Sequence, residues 1–418
     1  SGWEFVEASC TVTHADQTMT TLGPFTSNTF DITLDNGDVA KCTVKNQKLP
    51  TLQISKNTIG GFGKFDFTVT NGTGSFATSI ETSDGTNPAD GDVAIVKNEK
   101  HTISESMQSG WEFVEASCTV THADQTMTTL GPFTNNPFDI TLDNGDVAKC
   151  TVKNQKLPTL QLTKISHNGL GTFGFTITNG TGPLILSSIT TTVPNQGTSS
   201  GSYVVTLGDH TITELSQNGW AFGSAVCTVV HSDKSTTSLG PFTSNPFTIT
   251  LVYGDNVECV VNDNGATRTQ GFWATHSDQA AYFWTSTPTP GTGDVCKEPA
   301  TNNLVMEGGF WSSIPKLSDG KTSRTSLDQA RMQLVQQLIA AKLNVQAFGL
   351  TLDNPNLISD ANNICKTGTP SQIIAQVGIL DQFNNSGDKA SWSSSLVQQG
   401  TGGYKGDTAN KKAWDIIG

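Results

Sequence analysis

Basic residues are scarce: 24 of the 418 residues are Lys or Arg against 37 Asp or Glu, and charged residues of both signs make up only 15%. A nucleic-acid groove or an anionic-membrane patch needs clustered Lys and Arg, so neither partner is expected. Also missing is any apolar run long enough to cross a bilayer, so no membrane span is expected. There is no initiator Met and no signal-peptide pattern; an export signal is expected to have been removed or to lie outside this numbering. Beyond residue 264 no acid/base pair, nucleophile or metal constellation stands out, which argues against an enzyme there, and no cofactor is expected. Thr, Ser, Gly and Asn cover the surface instead, as suits secreted β-structure.

The eight cysteines are spaced regularly. Cys10 and Cys42, Cys118 and Cys150, and Cys227 and Cys259 form three pairs with one separation of 32 residues. One spacing repeated three times predicts a disulfide inside each repeat and an oxidising, extracellular setting. A metal site would need short Cys-x-x-Cys spacing and nearby His, which are absent. By elimination Cys296 pairs with Cys365.

The stretch SGWEFVEASCTVTHADQTMTTLGPFT at 1–26 returns at 109–134, and Trp3, Trp111 and Trp220 mark a period of 108 and then 109 residues. Periods of this size mean tandem domains. Segments such as GKFDFTVTNGTG and PFDITLDNGDVAKCTVKN alternate apolar and polar residues between Asn-Gly and Gly-Asp turns, which predicts short antiparallel strands in two-sheet, Ig-like sandwiches. Complete units are expected at 50–158 and 159–264. Residues 1–49 match only the second half of a unit, and other polypeptide is expected to complete it. KLPTLQ at 48–53 and 156–161 reads as a stiff joint built on Pro50 and Pro158.

After residue 264 the pattern changes to a partly helical C-terminal domain, 265–418. Leu327, Ala330, Leu334, Leu338, Ala341 and Val345 share one helical face, with Ser326 expected as N-cap; two shorter helices are expected to open at Asn354-Pro355 and Thr369-Pro370. LDQFNNSGD hints at a calcium loop, but Gln382 would stand at the first ligand position, so no metal is expected. His276 beside Asp278 reads as a surface or core pair. Trp273, Trp284, Trp311, Trp392 and Trp414 read as core aromatics, with a sugar-binding face as the alternative.

Each full repeat carries a Lys at the end of its first strand (Lys56 in LQISK, Lys164 in LQLTK), a Glu in the middle (Glu105 in HTISE, Glu214 in HTITE) and an Asn closing its last strand (Asn154 in CTVKN, Asn262 in CVVN). In this order of residues, 1–264 resembles the prealbumin-like, CnaB/SpaA-type domains of bacterial surface proteins and pilins. The resemblance implies an autocatalytic isopeptide bond from Lys56 to Asn154 and from Lys164 to Asn262, with Glu105 and Glu214 as buried proton shuttles. Asn46 is the acceptor of the half unit, its Lys and Glu to come from upstream repeats or a neighbouring copy. The expectation is a structural subunit of an extracellular, pilus-like filament that assembles with itself by strand complementation. The alternative is a surface adhesin whose C-terminal head binds glycan or envelope. RTQGFWATHSD and LDQFNNSGD also resemble an uncharacterised domain of secreted prokaryotic proteins, which implies no activity.

Overall fold

The computed structural model describes residues 2–72, 74–83, 88–179, 183–285, 294–296, 300, 302–390 and 408–415, with 183–187 and 285 described by backbone only. Strands carry the N-terminal two thirds and helices the rest, as the alternation and its change of period predict.

The first three strands, β1 (Trp3–Thr13), β2 (Met19–Phe25) and β3 (Val39–Lys48), form one sheet in the order β2-β1-β3. The next nine are β4 (Thr51–Ile59), β5 (Lys64–Asn71), β6 (Gly74–Glu81), β7 (Ala89–Ile95), β8 (Lys100–Glu105), β9 (Trp111–Thr121), β10 (Met127–Phe133), β11 (Phe138–Thr141) and β12 (Val147–Lys156). They build a sandwich of a five-stranded sheet, β10-β9-β12-β4-β7, and a four-stranded sheet, β11-β8-β5-β6. Strands β13 (Thr159–His167), β14 (Thr172–Thr178), β15 (Pro183–Thr190), β16 (Thr198–Val204), β17 (Gly208–Glu214), β18 (Trp220–Val230), β19 (Thr236–Phe242), β20 (Phe247–Leu251) and β21 (Asn256–Gly265) repeat the same plan.

The first and last strands of each sandwich lie side by side and parallel, β4 on β12 and β13 on β21, while the other ladders are antiparallel. Alternate residues of these strands point inward, so Leu52, Ile54, Phe65, Phe67, Ile103 and Val152 make one apolar core and Leu160, Leu162, Phe173, Phe175, Ile212 and Val261 the equivalent one. Each sandwich is stapled within its larger sheet by a disulfide between directly opposed residues, Cys118–Cys150 and Cys227–Cys259; Cys10–Cys42 does the same in the β1–β3 sheet.

Near-identical sequence meets two environments here. Val152 is 0% exposed beneath the four-stranded sheet, whereas Val44, its counterpart in β3, is 53% exposed; Leu142 and Leu34 compare as 0% and 44%. Residues 30–33, equivalent to β11, form no strand, because the strand that β11 pairs with is β8 and, among the described residues, the β1–β3 sheet has no counterpart of β8 beside it.

The remaining residues form α1 (Gln270–Thr275), α2 (Ser277–Thr285), α3 (Asn303–Trp311), α4 (Ser326–Phe348), α5 (Leu357–Thr367) and α6 (Pro370–Ser386) around a separate apolar core, with Cys296 bonded to Cys365. The long helix is capped by Thr325 rather than Ser326, and it stops at Gly349 in the left-handed conformation. Thr369 opens α6 with a capping box, but Asn354-Pro355 lies in the turn before α5, whose N-cap is Asn356. Asp353 ties this domain to the second sandwich: it accepts from the Asn168 N–H at 2.7 Å and lies 2.7 Å from His167 Nδ1.

Candidate functional site

Lys56, Glu105 and Asn154 converge between the two sheets of the first sandwich. Lys56 projects from β4 and Asn154 from β12, while Glu105 reaches across from the end of β8 in the facing sheet. All three are buried, and the Lys56 ammonium lies 4.4 Å above the Phe65 ring centre. Its Nζ is 2.9 Å from Glu105 Oε1, close enough for an ion pair though off the hydrogen-bonding directions. The same Oε1 accepts from Asn154 Nδ2 at 2.7 Å. One carboxylate oxygen therefore touches both the amine and the side-chain amide. Burial pulls the Lys56 amine down to about 8 against the opposing effect of Glu105. Burial likewise raises the Glu105 carboxyl above the ordinary range, with Lys56 and Asn154 opposing.

In the second sandwich the side chain beside the lysine differs from the sequence expectation. Lys164 Nζ lies 3.0 Å from Glu214 Oε2 and 2.5 Å from Asp263 Oδ1, and the amine sits 4.4 Å over the Phe173 ring. Asn262, named from the sequence, is on the other face of β21, where its Oδ1 meets His167 Nε2 at 3.3 Å. The reason is the two-residue period of a strand: counting four residues from the buried cysteine gives Asn154 after Cys150 but Asp263 after Cys259, and a slip of one turns the side chain outward. Burial pushes the Glu214 carboxyl up to about 8; Lys164 opposes this, and Asp263 adds to it by hydrogen bonding and by its charge.

The remaining sequence candidates fall out plainly. Asn46 on β3 is exposed, with no Lys or Glu from a facing sheet among the described residues. Trp273, Trp284 and Trp414 are core residues, so they form no sugar-binding face; Trp311 is 39% exposed, and Trp392 lies outside the described residues. Gln382 sits within α6, so the calcium-loop pattern is helix. His276 ends α1, stacked on Phe272 at 4.0 Å. Among the described residues no group of three or more His, Cys, Asp or Glu could hold a metal, and no helix is long and apolar enough to cross a membrane.

Several solved structures match part of the chain. One is a major pilin (T-13) of Streptococcus pyogenes, at 13% identity and a TM-score of 0.19, covering 52% of this chain and 97% of the pilin. Another is the pilus adhesin SpaC of Lactobacillus rhamnosus GG, at 13% identity and 0.22, covering 62% of this chain and 42% of the adhesin. The Bacillus anthracis TIE protein follows at 14% identity and 0.19, covering 63% of this chain and 52% of that one. No curated protein sequence matches the chain. The model of a prealbumin-like fold domain, SpaA_4, matches residues 52–156 and again 160–265, together half of the chain, and the matches enclose Lys56, Glu105 and Asn154 and Lys164, Glu214 and Asp263. The chain therefore belongs to the family of prealbumin-like, SpaA-type domain proteins.

Proposed function

We propose that the chain is a structural subunit of an extracellular, pilus-like surface filament, whose sandwich units are locked by disulfides and by self-made amide bonds from Lys56 to Asn154 and from Lys164 to Asp263. The observation that carries the amide is the single Glu105 oxygen lying 2.9 Å from the amine and 2.7 Å from the amide nitrogen that would leave.

In the first sandwich the neutral Lys56 amine attacks Asn154 Cγ. The new C–N bond forms as the bond to Nδ2 breaks, and Glu105 takes a proton from the attacking nitrogen and returns one to Nδ2, which departs as ammonia. With the amine at about 8, about one lysine in ten is neutral at pH 7, whereas an ordinary lysine offers well under one in a thousand. Holding the partners in contact supplies the rest of the acceleration. In the second sandwich the Asp263 carboxyl loses its hydroxyl as water, the proton again relayed through Glu214. No external reactant is required in either case.

The uncovered face of β1–β3 is where we infer assembly. Val44 and Asn46 are exposed there, while the same letters in β12 are covered by β4 and the facing sheet. A further set of strands of the β4, β5 and β8 type would cover that face and bring a Lys to Asn46; upstream repeats or a neighbouring copy would supply them. The near-identical sequence of the two stretches supports a common docking partner.

Intact mass after full reduction tests the chemistry: loss of one ammonia, about 17 Da, from the first sandwich and one water, about 18 Da, from the second is expected. An unmodified mass refutes the amides. A ladder that survives boiling with reductant would identify a neighbouring copy as the partner of Asn46, and a single monomer band refutes that covalent assembly.

A further inference from the structure

We propose that Asn136 and Asn245 are positioning residues that aim the shuttle Glu in each sandwich; the inference rests on the amide-forming reading above. Asn136 Oδ1 accepts from the Glu105 N–H at 2.9 Å, and its Nδ2 donates to the Glu105 carbonyl at 2.7 Å. Asn245 makes the same two bonds to Glu214, again at 2.9 and 2.7 Å. A two-point amide pair on one peptide residue is what a neighbouring strand would ordinarily provide.

The local chain explains why a side chain does this. The residue after each Asn is proline, Pro137 or Pro246, which has no N–H to give a ladder. The β11–β8 pairing begins only at Phe138 opposite Ile103, and β20–β17 only at Phe247 opposite Ile212. Glu105 and Glu214 are the last residues of their strands, paired on one side with Phe67 and Phe175. Without the Asn amide their other side would be open and the strand end free to fray. The clasp fixes the Glu backbone from both sides, so that the carboxylate oxygen stays within reach of the amine and the leaving atom. The Asn touches neither reacting group, so it positions rather than catalyses.

In the half unit Asn28 stands at the equivalent position, exposed, followed by Thr29 in place of proline. It makes no such clasp among the described residues, which fits a clasp that forms only when a Glu-bearing strand arrives.

The test follows bond formation in full-length protein made in an oxidising cell-free mixture, quenched at intervals and mapped by peptide mass, counting only molecules with Cys118–Cys150 and Cys227–Cys259 closed. In Asn136→Ala the ammonia loss is expected to slow by roughly 10- to 100-fold, the range for a reacting group misplaced by a fraction of its length, while the second sandwich keeps its rate. Asn245→Ala should do the reverse. Counting per folded molecule separates aiming from folding, since a purely structural loss would lower the folded fraction and leave the rate unchanged. Asn136→Ala bonding at the wild-type rate overturns the inference. Should that variant fail to close Cys118–Cys150, Asn136→Asp decides, because it keeps an acceptor for the Glu105 N–H and loses the donor: a slowed reaction supports the clasp, a wild-type rate refutes it. A wild-type chain that loses neither ammonia nor water sinks the amide reading itself, an outcome distinct from all of these.

Discussion

Val44 and Val152 occupy equivalent positions in near-identical sequence and differ in what covers them, 53% against 0% exposed, so truncating each measures the cover alone. Val152→Ala removes two methyl groups from a filled core, worth about 1.6 kcal/mol at about 0.8 kcal/mol each, and a residual cavity brings the cost to about 2 kcal/mol. For a domain of this size that lowers the melting temperature by about 10 °C. Val44→Ala in the isolated monomer should cost no more than about 0.5 kcal/mol, the usual range for a surface change. Differential scanning calorimetry at low protein concentration gives both numbers under one set of conditions. In assembled material the prediction reverses for Val44, which should then become as sensitive as Val152. Equal shifts in the dilute monomer would refute the reasoning, because the β1–β3 face would then be covered without any partner.

Other outcomes follow from the two buried trios. Glu105→Gln should abolish ammonia loss in the first sandwich and leave water loss in the second intact, as read by peptide mass. Asp263→Ala should abolish the water loss while Asn262→Ala leaves it unchanged, and the opposite pattern would restore Asn262 as acceptor. The bonding rate in the first sandwich should rise by at least about tenfold between pH 6 and 8, because the amine at about 8 loses its proton over that interval; a flat profile contradicts the nucleophile. The unreacted first sandwich should also gain stability as pH rises from about 8 towards the ordinary lysine value of 10.5, since across that window the unfolded chain holds the Lys56 proton and the folded one has released it. A bond-blocked Glu105→Gln chain would not report that gain cleanly, so denaturation of freshly made wild type, before bonding, is the measurement.

The β architecture was legible because strand alternation and turn residues act locally, and the period of 108 and 109 residues could be counted from Trp3, Trp111 and Trp220. The fixed spacing of the cysteines signalled the pairs that the sheets place directly opposite one another. What letters alone missed depends on which face a residue takes: Asn262 closes its strand as Asn154 does, yet one residue decides between core and surface. The signal that finds Asp263 is the count from Cys259. Asn136 and Asn245 escaped notice because an Asn-Pro pair reads as a turn, and its bond to a strand 31 residues away is tertiary. The described tryptophans of the C-terminal domain went mostly to the core, where they pack with Phe, Leu, Ile and Met, as Trp273 and Trp414 illustrate.

The parallel pairing of first and last strands has a mechanical consequence. Thr51–Ile59 runs beside Val147–Gln155 in the same direction, so the chain enters a unit at one end and leaves at the other. Tension then drags the two strands lengthwise past each other, and their hydrogen bonds must fail together in shear rather than one by one as in an unzipped hairpin. With the proposed Lys56–Asn154 amide in place, the stretched path would run through residues 51–56, across the amide and out through 154–156. Everything from 57 to 153 would then be slack, including Cys118–Cys150, and reducing that disulfide would soften the unit without lengthening the force-bearing path.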